Sequence, residues 1–116
     1  MNPLTFISDL RNHFNVNYSP TFIEASNSNI DSSVSIIIRQ INLDFEILFI
    51  KRTTKETDKF SGHMAFPGGV KEKSDFDSLS TAHRETNEEI GLNSELNCDF
   101  LGRFSDYRPV NPEANK

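Results

Sequence analysis

Apolar positions along the chain switch between two periods. Leu4, Phe6, Ile7, Leu10 and Phe14 recur at helical spacing, so Pro3 to His13 is expected to form a short amphipathic helix with Pro3 near its first turn. Asn15 to Ser33, rich in Asn and Ser with one Pro, suits a connecting loop. Val34 to Ile38 and Phe45 to Ile50 are dense in β-branched and large apolar residues. Gln40 to Asp44 between them offers turn chemistry, which predicts a β-hairpin belonging to the core sheet. Lys51 to Gly62 is polar and reads as a surface loop, followed by the compact run Met64-Ala65-Phe66-Pro67-Gly68-Gly69. Asp99 to Phe104 is expected to add one further strand.

The plainest element is a helix over Asp77 to Ile90. Asp77 or Ser78 stands where an N-cap belongs, and Gly91 stands just past the C-terminus, where a left-handed residue commonly ends a helix. Leu79, Ala82, Thr86 and Ile90 fall on one side, the spacing of a helix laid on a sheet.

A chain of 116 residues fits one domain with one modest core. Its single Cys98 allows neither a disulfide framework nor a thiolate zinc site, and fits a reducing compartment. The net charge of −5 argues against a nucleic-acid partner, which would need clustered Lys and Arg. No signal peptide or membrane-spanning run is visible, and Ala114-Asn115-Lys116 is not a peroxisomal address, so a cytoplasmic location without membrane contact is expected.

At about 100° of rotation per residue, Glu85, Glu88 and Glu89 share roughly one third of the helix circumference. Three like charges so placed repel one another unless something positive sits among them. Oxygen donors select hard cations such as Mg²⁺ or Mn²⁺. A solvated acidic face is the bland alternative. Against it stand the adjoining apolar stripe, Arg84 within reach of Glu88 one turn on, and the preceding Pro-Gly-Gly turn, whose glycines let a backbone approach a ligand closely.

Arg84-Glu85-Thr86-Asn87-Glu88-Glu89-Ile90-Gly91-Leu92 resembles the second half of the Nudix box, with only Thr86 departing from the apolar residue usual at its position. The first half is irregular. The usual spacing would put a Gly at Val70 and a Glu at Phe76, whereas the glycines lie at 68 and 69 and the nearest acids are Asp75 and Asp77. A loop longer by a residue or two is similar to the coenzyme A diphosphatase branch of that family. So is the upstream series Ile47-Leu48-Phe49-Ile50-Lys51-Arg52, Lys59, Gly62 and Phe66-Pro67-Gly68-Gly69, although one extra residue separates Arg52 from Gly62 and Lys59 stands where Arg is commoner. The resemblance covers about residues 33–102.

The resemblance implies an α/β fold, a Nudix-type α/β/α sandwich with a mixed sheet. It implies hydrolysis of a diphosphate linkage with Mg²⁺ or Mn²⁺, coenzyme A or acyl-CoA yielding 3′,5′-ADP and a phosphopantetheine. Another nucleoside diphosphate derivative such as ADP-ribose is the alternative substrate, and a non-catalytic binding module the alternative function. Glu85 and Glu89 would be the principal metal ligands, Glu88 a further ligand or the group that polarises water, with a Gly68 or Gly69 carbonyl completing the shell. Arg52 and Lys59 are candidates for binding substrate phosphates, or else solvated loop charges. Arg84 would be structural, holding Glu88. Asp77 would either replace the missing loop Glu or cap the helix, and Gly91 would end it. His63 and His83 read as polar surface or packing residues. Because the family's domain normally continues beyond Leu92 with more strands and a second large helix, the chain is expected to be a C-terminally truncated form. Residues 1–32 would be an N-terminal helix and connecting loop, and residues 33–116 a partial hydrolase domain, with a homodimer as the candidate assembly.

Overall fold

In a computed structural model the protein is described over residues 5–17, 20, 31–52 and 62–107. Helix α1 spans Phe6–Asn12 and runs on through a π-helical turn, His13–Asn17. Of the helix expected over Pro3 to His13, Pro3 and Leu4 lie outside the described residues; the helix has Thr5 as its N-cap and continues past its expected end. It lies between two parts of the chain. Phe6 stacks on Phe45 with ring centroids 4.2 Å apart, and Phe14 packs on Gly102 and meets Phe104 edge-on at 5.3 Å.

Among the described residues six short strands follow: β1 Ser32–Val34, β2 Ile38–Ile41, β3 Asp44–Ile47, β4 Ile50–Lys51, β5 Met64–Ala65 and β6 Gly68–Val70. They pair as three antiparallel two-stranded ladders, β1 with β6, β2 with β3 and β4 with β5. Hydrogen bonds beyond the strand ends lengthen each ladder. Lys71 N–H donates to Asp31 O and Ser35 N–H to Pro67 O at the two ends of the first. Leu48 N–H donates to Ile37 O in the second, and Arg52 N–H to His63 O in the third. Among the described residues every pairing is antiparallel, whereas a mixed sheet was expected.

The hairpin is also narrower than its apolar runs suggest. Its turn is Asn42-Leu43, with Asn42 at φ 55°, a left-handed conformation that Asn tolerates better than most residues. Arg39 and Glu46 face each other across the ladder at 2.9 Å. Val34, expected in the hairpin, lies instead in β1 opposite Gly68. A run of consecutive apolar residues cannot reveal where the chain bends from one ladder to the next, because its periodicity is the same on both sides of the bend.

Helix α2, Ser78–Ile90, packs on β1 and β6. Asp77 is its N-cap, accepting from Ser80 N–H at 2.8 Å. Gly91 ends it at φ 70°, donating to Asn87 O. Buried beneath the helix are Thr81, Ala82 and Thr86, while Leu79 and Ile90, expected on the buried side, are half-exposed. Thr86, the departure from the usual box, is fully buried with its hydroxyl satisfied by Ala82 O at 2.7 Å and Ser35 Oγ at 3.1 Å. A short α3, Ser94–Asn97, then packs on α2, tied by His83 Nδ1 to Ser94 Oγ at 2.6 Å. The strand expected over Asp99 to Phe104 does not form. That stretch is irregular and serves as a seat for Phe14.

Gly91 gives a clean test of the helix end. A Cβ there would meet nothing within 4 Å, so Gly91→Ala adds no clash and only forces a side chain into the left-handed region. The expected loss of stability is about 1 kcal/mol, read from a denaturant unfolding midpoint.

Candidate metal and phosphate site

The acidic face of α2 meets the chain at the Gly68-Gly69 strand. Strand β6 lies beside α2 because its glycines allow close approach on both sides. A Cβ at Gly68 would collide with the Ser33 carbonyl oxygen and lie 2.6 Å from Val34 Cα. One at Gly69 would lie 2.5 Å from the Glu85 carboxyl carbon. The Glu85 carboxylate therefore rests against a bare Gly69 backbone. Glu89 reaches the same strand, where its Oε1 accepts from Gly68 N–H at 3.3 Å. Burial pushes the Glu89 carboxyl above its ordinary value; the Gly68 amide opposes this, the neighbouring Glu85 charge adds to it, and Arg52 opposes it. Two carboxylates thus converge, and the Glu85 charge adds to the cost of ionising Glu89.

Glu88 goes elsewhere. Both of its oxygens lie 3.2 Å from one Arg84 nitrogen, which also holds Glu85 Oε1 at 3.1 Å. Among the described residues no three acidic, His or Cys side chains gather as a metal-binding group. The structure brings Glu85 and Glu89 together at Gly68 and Gly69, and sets Glu88 beside them on Arg84.

Arg84 is the centre of this region, with its side chain only 19% exposed. Its Nε and one terminal nitrogen grip the two Asp75 oxygens at 2.9 and 3.0 Å, the second nitrogen also donates to Val70 O at 2.9 Å, and Glu72 lies 3.5 Å from the other. Asp75 accepts in addition from Glu72 N–H and the Thr81 hydroxyl. Of the two acids near the irregular half of the motif, Asp75 takes the arginine, nine residues later, and Asp77 takes the helix end. The two roles offered for Asp77 are thereby separated: its oxygen caps α2, and the contact with the Arg-Glu helix belongs to Asp75. Sequence reasoning missed Asp75, since loop length alone does not show which carboxylate turns inward.

The Arg84 fork, then the Glu72 amide and Thr81 hydroxyl, hold Asp75 well below the usual carboxylate range against the opposing effect of burial. The Ser80 amide and hydroxyl lower Asp77. Both groups are depressed on folding, so their stabilisation is complete above the ordinary aspartate value of 3.8 and is lost as pH falls below it. The thermal midpoint is expected to fall progressively as pH drops below about 4, and Asp75→Asn should be less stable near neutrality and flatten that decline.

Arg52 follows β4, hydrogen-bonded through its backbone to His63 and Gly62, and its charge reaches Glu89. Lys59 lies outside the described residues. His83 serves the α2–α3 contact. A cleft of about 190 Å³, lined by the apolar Ile36, Leu79 and Phe100 and by the polar His83, Ser94 and Asp99, adjoins the first half of α2.

A hard divalent cation fits the residues that converge here. Mg²⁺ keeps several waters and is commonly held by one or two carboxylates plus substrate phosphates. Glu85 and Glu89 supply two such carboxylates, their mutual repulsion is relieved by positive charge, and Gly69 leaves the space beside Glu85 that any side chain would fill. No helix among the described residues is long and apolar enough to cross a membrane.

Comparison with known proteins bears on what this arrangement is. The family model for the NUDIX domain matches residues 30–115. An uncharacterized protein of Schizosaccharomyces pombe is 49% identical over 61 residues, which is 52% of this chain and 18% of that protein's length. No solved structure matches.

Proposed function

The chain belongs to the Nudix family, and on that premise we propose that it hydrolyses the diphosphate linkage of coenzyme A or acyl-CoA, releasing 3′,5′-ADP and the corresponding phosphopantetheine. Nudix domains act in general on nucleoside diphosphate derivatives with a divalent metal such as Mg²⁺ or Mn²⁺; the choice of substrate is the step beyond. The observation that carries the proposal is the convergence of Glu85 and Glu89 on the Gly68-Gly69 backbone, with the Arg52 charge reaching Glu89.

When bound, the cation would make a water more acidic and neutralise diphosphate charge, which removes the main electrostatic obstacle to attack on an anionic substrate. Glu85 and Glu89 would hold it against the glycine strand. Glu88, its side chain 56% exposed and held at one edge by Arg84, would orient a water from the solvent side. Arg52 would contribute positive charge to the diphosphate or to the 3′-phosphate. Coenzyme A is preferred over ADP-ribose because the series from Ile47 through Arg52 and Gly62 to Phe66-Pro67-Gly68-Gly69 resembles the coenzyme A branch. The third ladder joins its two ends, β4 to β5.

The test compares Mg²⁺-dependent release of 3′,5′-ADP from coenzyme A with release of AMP from ADP-ribose. A kcat/KM at least about tenfold higher for coenzyme A is expected, equivalent to about 1.4 kcal/mol of discrimination. A reversed order moves the substrate to ADP-ribose, and no turnover of either by folded protein moves the reading to another nucleoside diphosphate derivative or to a non-catalytic binding module.

A further inference from the structure

We infer that two copies of this chain pair about a two-fold axis at the N-terminal end of α2, the Phe76 ring of each entering the cleft that Val34, Ile36, Leu79 and Phe100 line in the other.

Phe76 is 91% exposed, more than any other large apolar side chain among the described residues. Its neighbours on both sides are fastened. Asp75 accepts from Arg84, the Glu72 amide and the Thr81 hydroxyl, and Asp77 caps α2 on Ser80 N–H. The ring is therefore held out at a fixed place, and the loop cannot fold it back without breaking those bonds. A rigid, exposed aromatic side chain loses little freedom on binding and is the kind of group that anchors protein interfaces.

A space that fits the ring lies at the same end of the same helix. Leu79, one turn on from Phe76, lines the cleft of about 190 Å³ together with Val34, Ile36 and Phe100. Gly102 lines it too, and the charge of the next residue, Arg103, reaches Asp77, which sets ring and cleft side by side on one surface. An apolar cavity of about 150 Å³ takes up a benzene ring, so the cleft has room for one phenyl group. The polar groups on its wall do not oppose this. His83 Nδ1 and Ser94 Oγ are bonded to each other at 2.6 Å, and the Asp99 side chain is 90% exposed and 3.6 Å from Arg11.

Because ring and cleft share one surface, a two-fold axis between copies makes both insertions at once and closes the pair. Copies joined head to tail would leave a ring unburied at one end and a cleft open at the other. Charge does not keep the copies apart, since Asp75 is paired with Arg84, and Lys71 and Arg103 both act on Asp77. The exposed parts of Phe76, Phe100, Val34, Ile36 and Leu79 from two copies amount to an area on the order of 1,000 Å², about the least that a specific interface buries. The pair should therefore be reversible and depend on concentration. Neither surface includes Glu85, Glu89 or the Gly68-Gly69 strand, and pairing is independent of the reaction proposed above.

Sedimentation velocity of the full chain over a concentration series tests this, with circular dichroism confirming the fold of each variant. Wild type should pass from monomer to dimer as concentration rises. Phe76→Ser, a change at an exposed loop residue, should raise the dimer dissociation constant at least about 100-fold, since both insertions are lost together. Phe100→Glu, which puts a charge in the cleft at a residue already 63% exposed, should act in the same direction. Neither variant can insert a ring into its own copy, yet a mixture of the two keeps one ring and one intact cleft. With Phe76→Ser labelled at its N-terminal amine, a heterodimer should form at lower concentration than the dimer of either variant alone. Wild type that stays monomeric at its highest soluble concentration, oligomers larger than a dimer, or a Phe76→Ser chain that dimerises as wild type does overturns the pairing. A mixture of folded variants that yields no heterodimer overturns it as well, because the ring then enters some other surface. Phe76→Ser decides alone if Phe100→Glu does not fold.

Discussion

Glu89→Gln is expected to lower Mg²⁺-dependent hydrolysis by about 10²- to 10³-fold while leaving the metal-free protein as stable as wild type or more so. The two effects have one cause. Glu89 Oε1 accepts from Gly68 N–H, and a Gln oxygen can accept the same bond, so the contact between α2 and β6 survives. What disappears is a negative charge that burial and the neighbouring Glu85 make costly. A carboxyl whose value is raised on folding binds its proton more tightly in the native state. Its ionisation therefore removes stability as pH rises above the ordinary value of 4.5 and through the raised folded value. At neutral pH the Gln variant escapes that loss. Mg²⁺ should reverse the order, because a ligand that binds only the folded state stabilises it by mass action, and only wild type keeps both carboxylates. Thermal unfolding with and without Mg²⁺, beside the turnover assay, checks both halves. A variant that hydrolyses substrate at the wild-type rate would remove Glu89 from the site.

The adjacent glycines should divide stability from activity. In Gly68→Ala the new methyl meets backbone, the Ser33 carbonyl oxygen and Val34 Cα, and the β1–β6 ladder would have to separate to admit it. Overpacking against main chain costs about 2 to 3 kcal/mol, read as a lower unfolding midpoint. In Gly69→Ala the methyl meets the end of a flexible side chain, the Glu85 carboxylate, with Oε1 at 2.6 Å. That group can move, so the midpoint should change little. The place it vacates is the proposed cation seat, and turnover should fall by about 10²-fold. Equal losses of stability in the two variants would contradict this division. A Gly69→Ala enzyme with full activity would place the cation away from Glu85.

Much of the helix that carries the site is readable before any coordinates. Asp77, the acidic series Glu85, Glu88 and Glu89, and Gly91 specify its two ends and its charged face through local rules, since cap chemistry and a 3.6-residue period act over a few neighbouring residues. The β-hairpin is legible as an element but not in its bounds. Its apolar runs continue through the bends at Ser35–Ile37 and Leu48-Phe49, where the chain leaves one ladder for the next. The strand read from Asp99 to Phe104 fails for a related reason. Phe100, Leu101 and Phe104 look like strand residues, yet the segment is shaped by Phe14, brought to Gly102 from the far end of the chain.

The sequence by itself therefore determined the family, the helix with its caps and the three glutamates of its acidic face, because each is written in residues at fixed short spacings. Tertiary structure alone decided which of them meet. Gly68 and Gly69 receive Glu89 and Glu85 because β6 pairs with β1 beneath α2, and Arg84 divides itself among four carboxylates because the loop folds Asp75 inward while Asp77 turns to the helix end. Local spacing places a side chain on a face. Its partner is selected only when distant segments pack, and the balance of charge among Asp75, Arg84 and the glutamates follows from that packing.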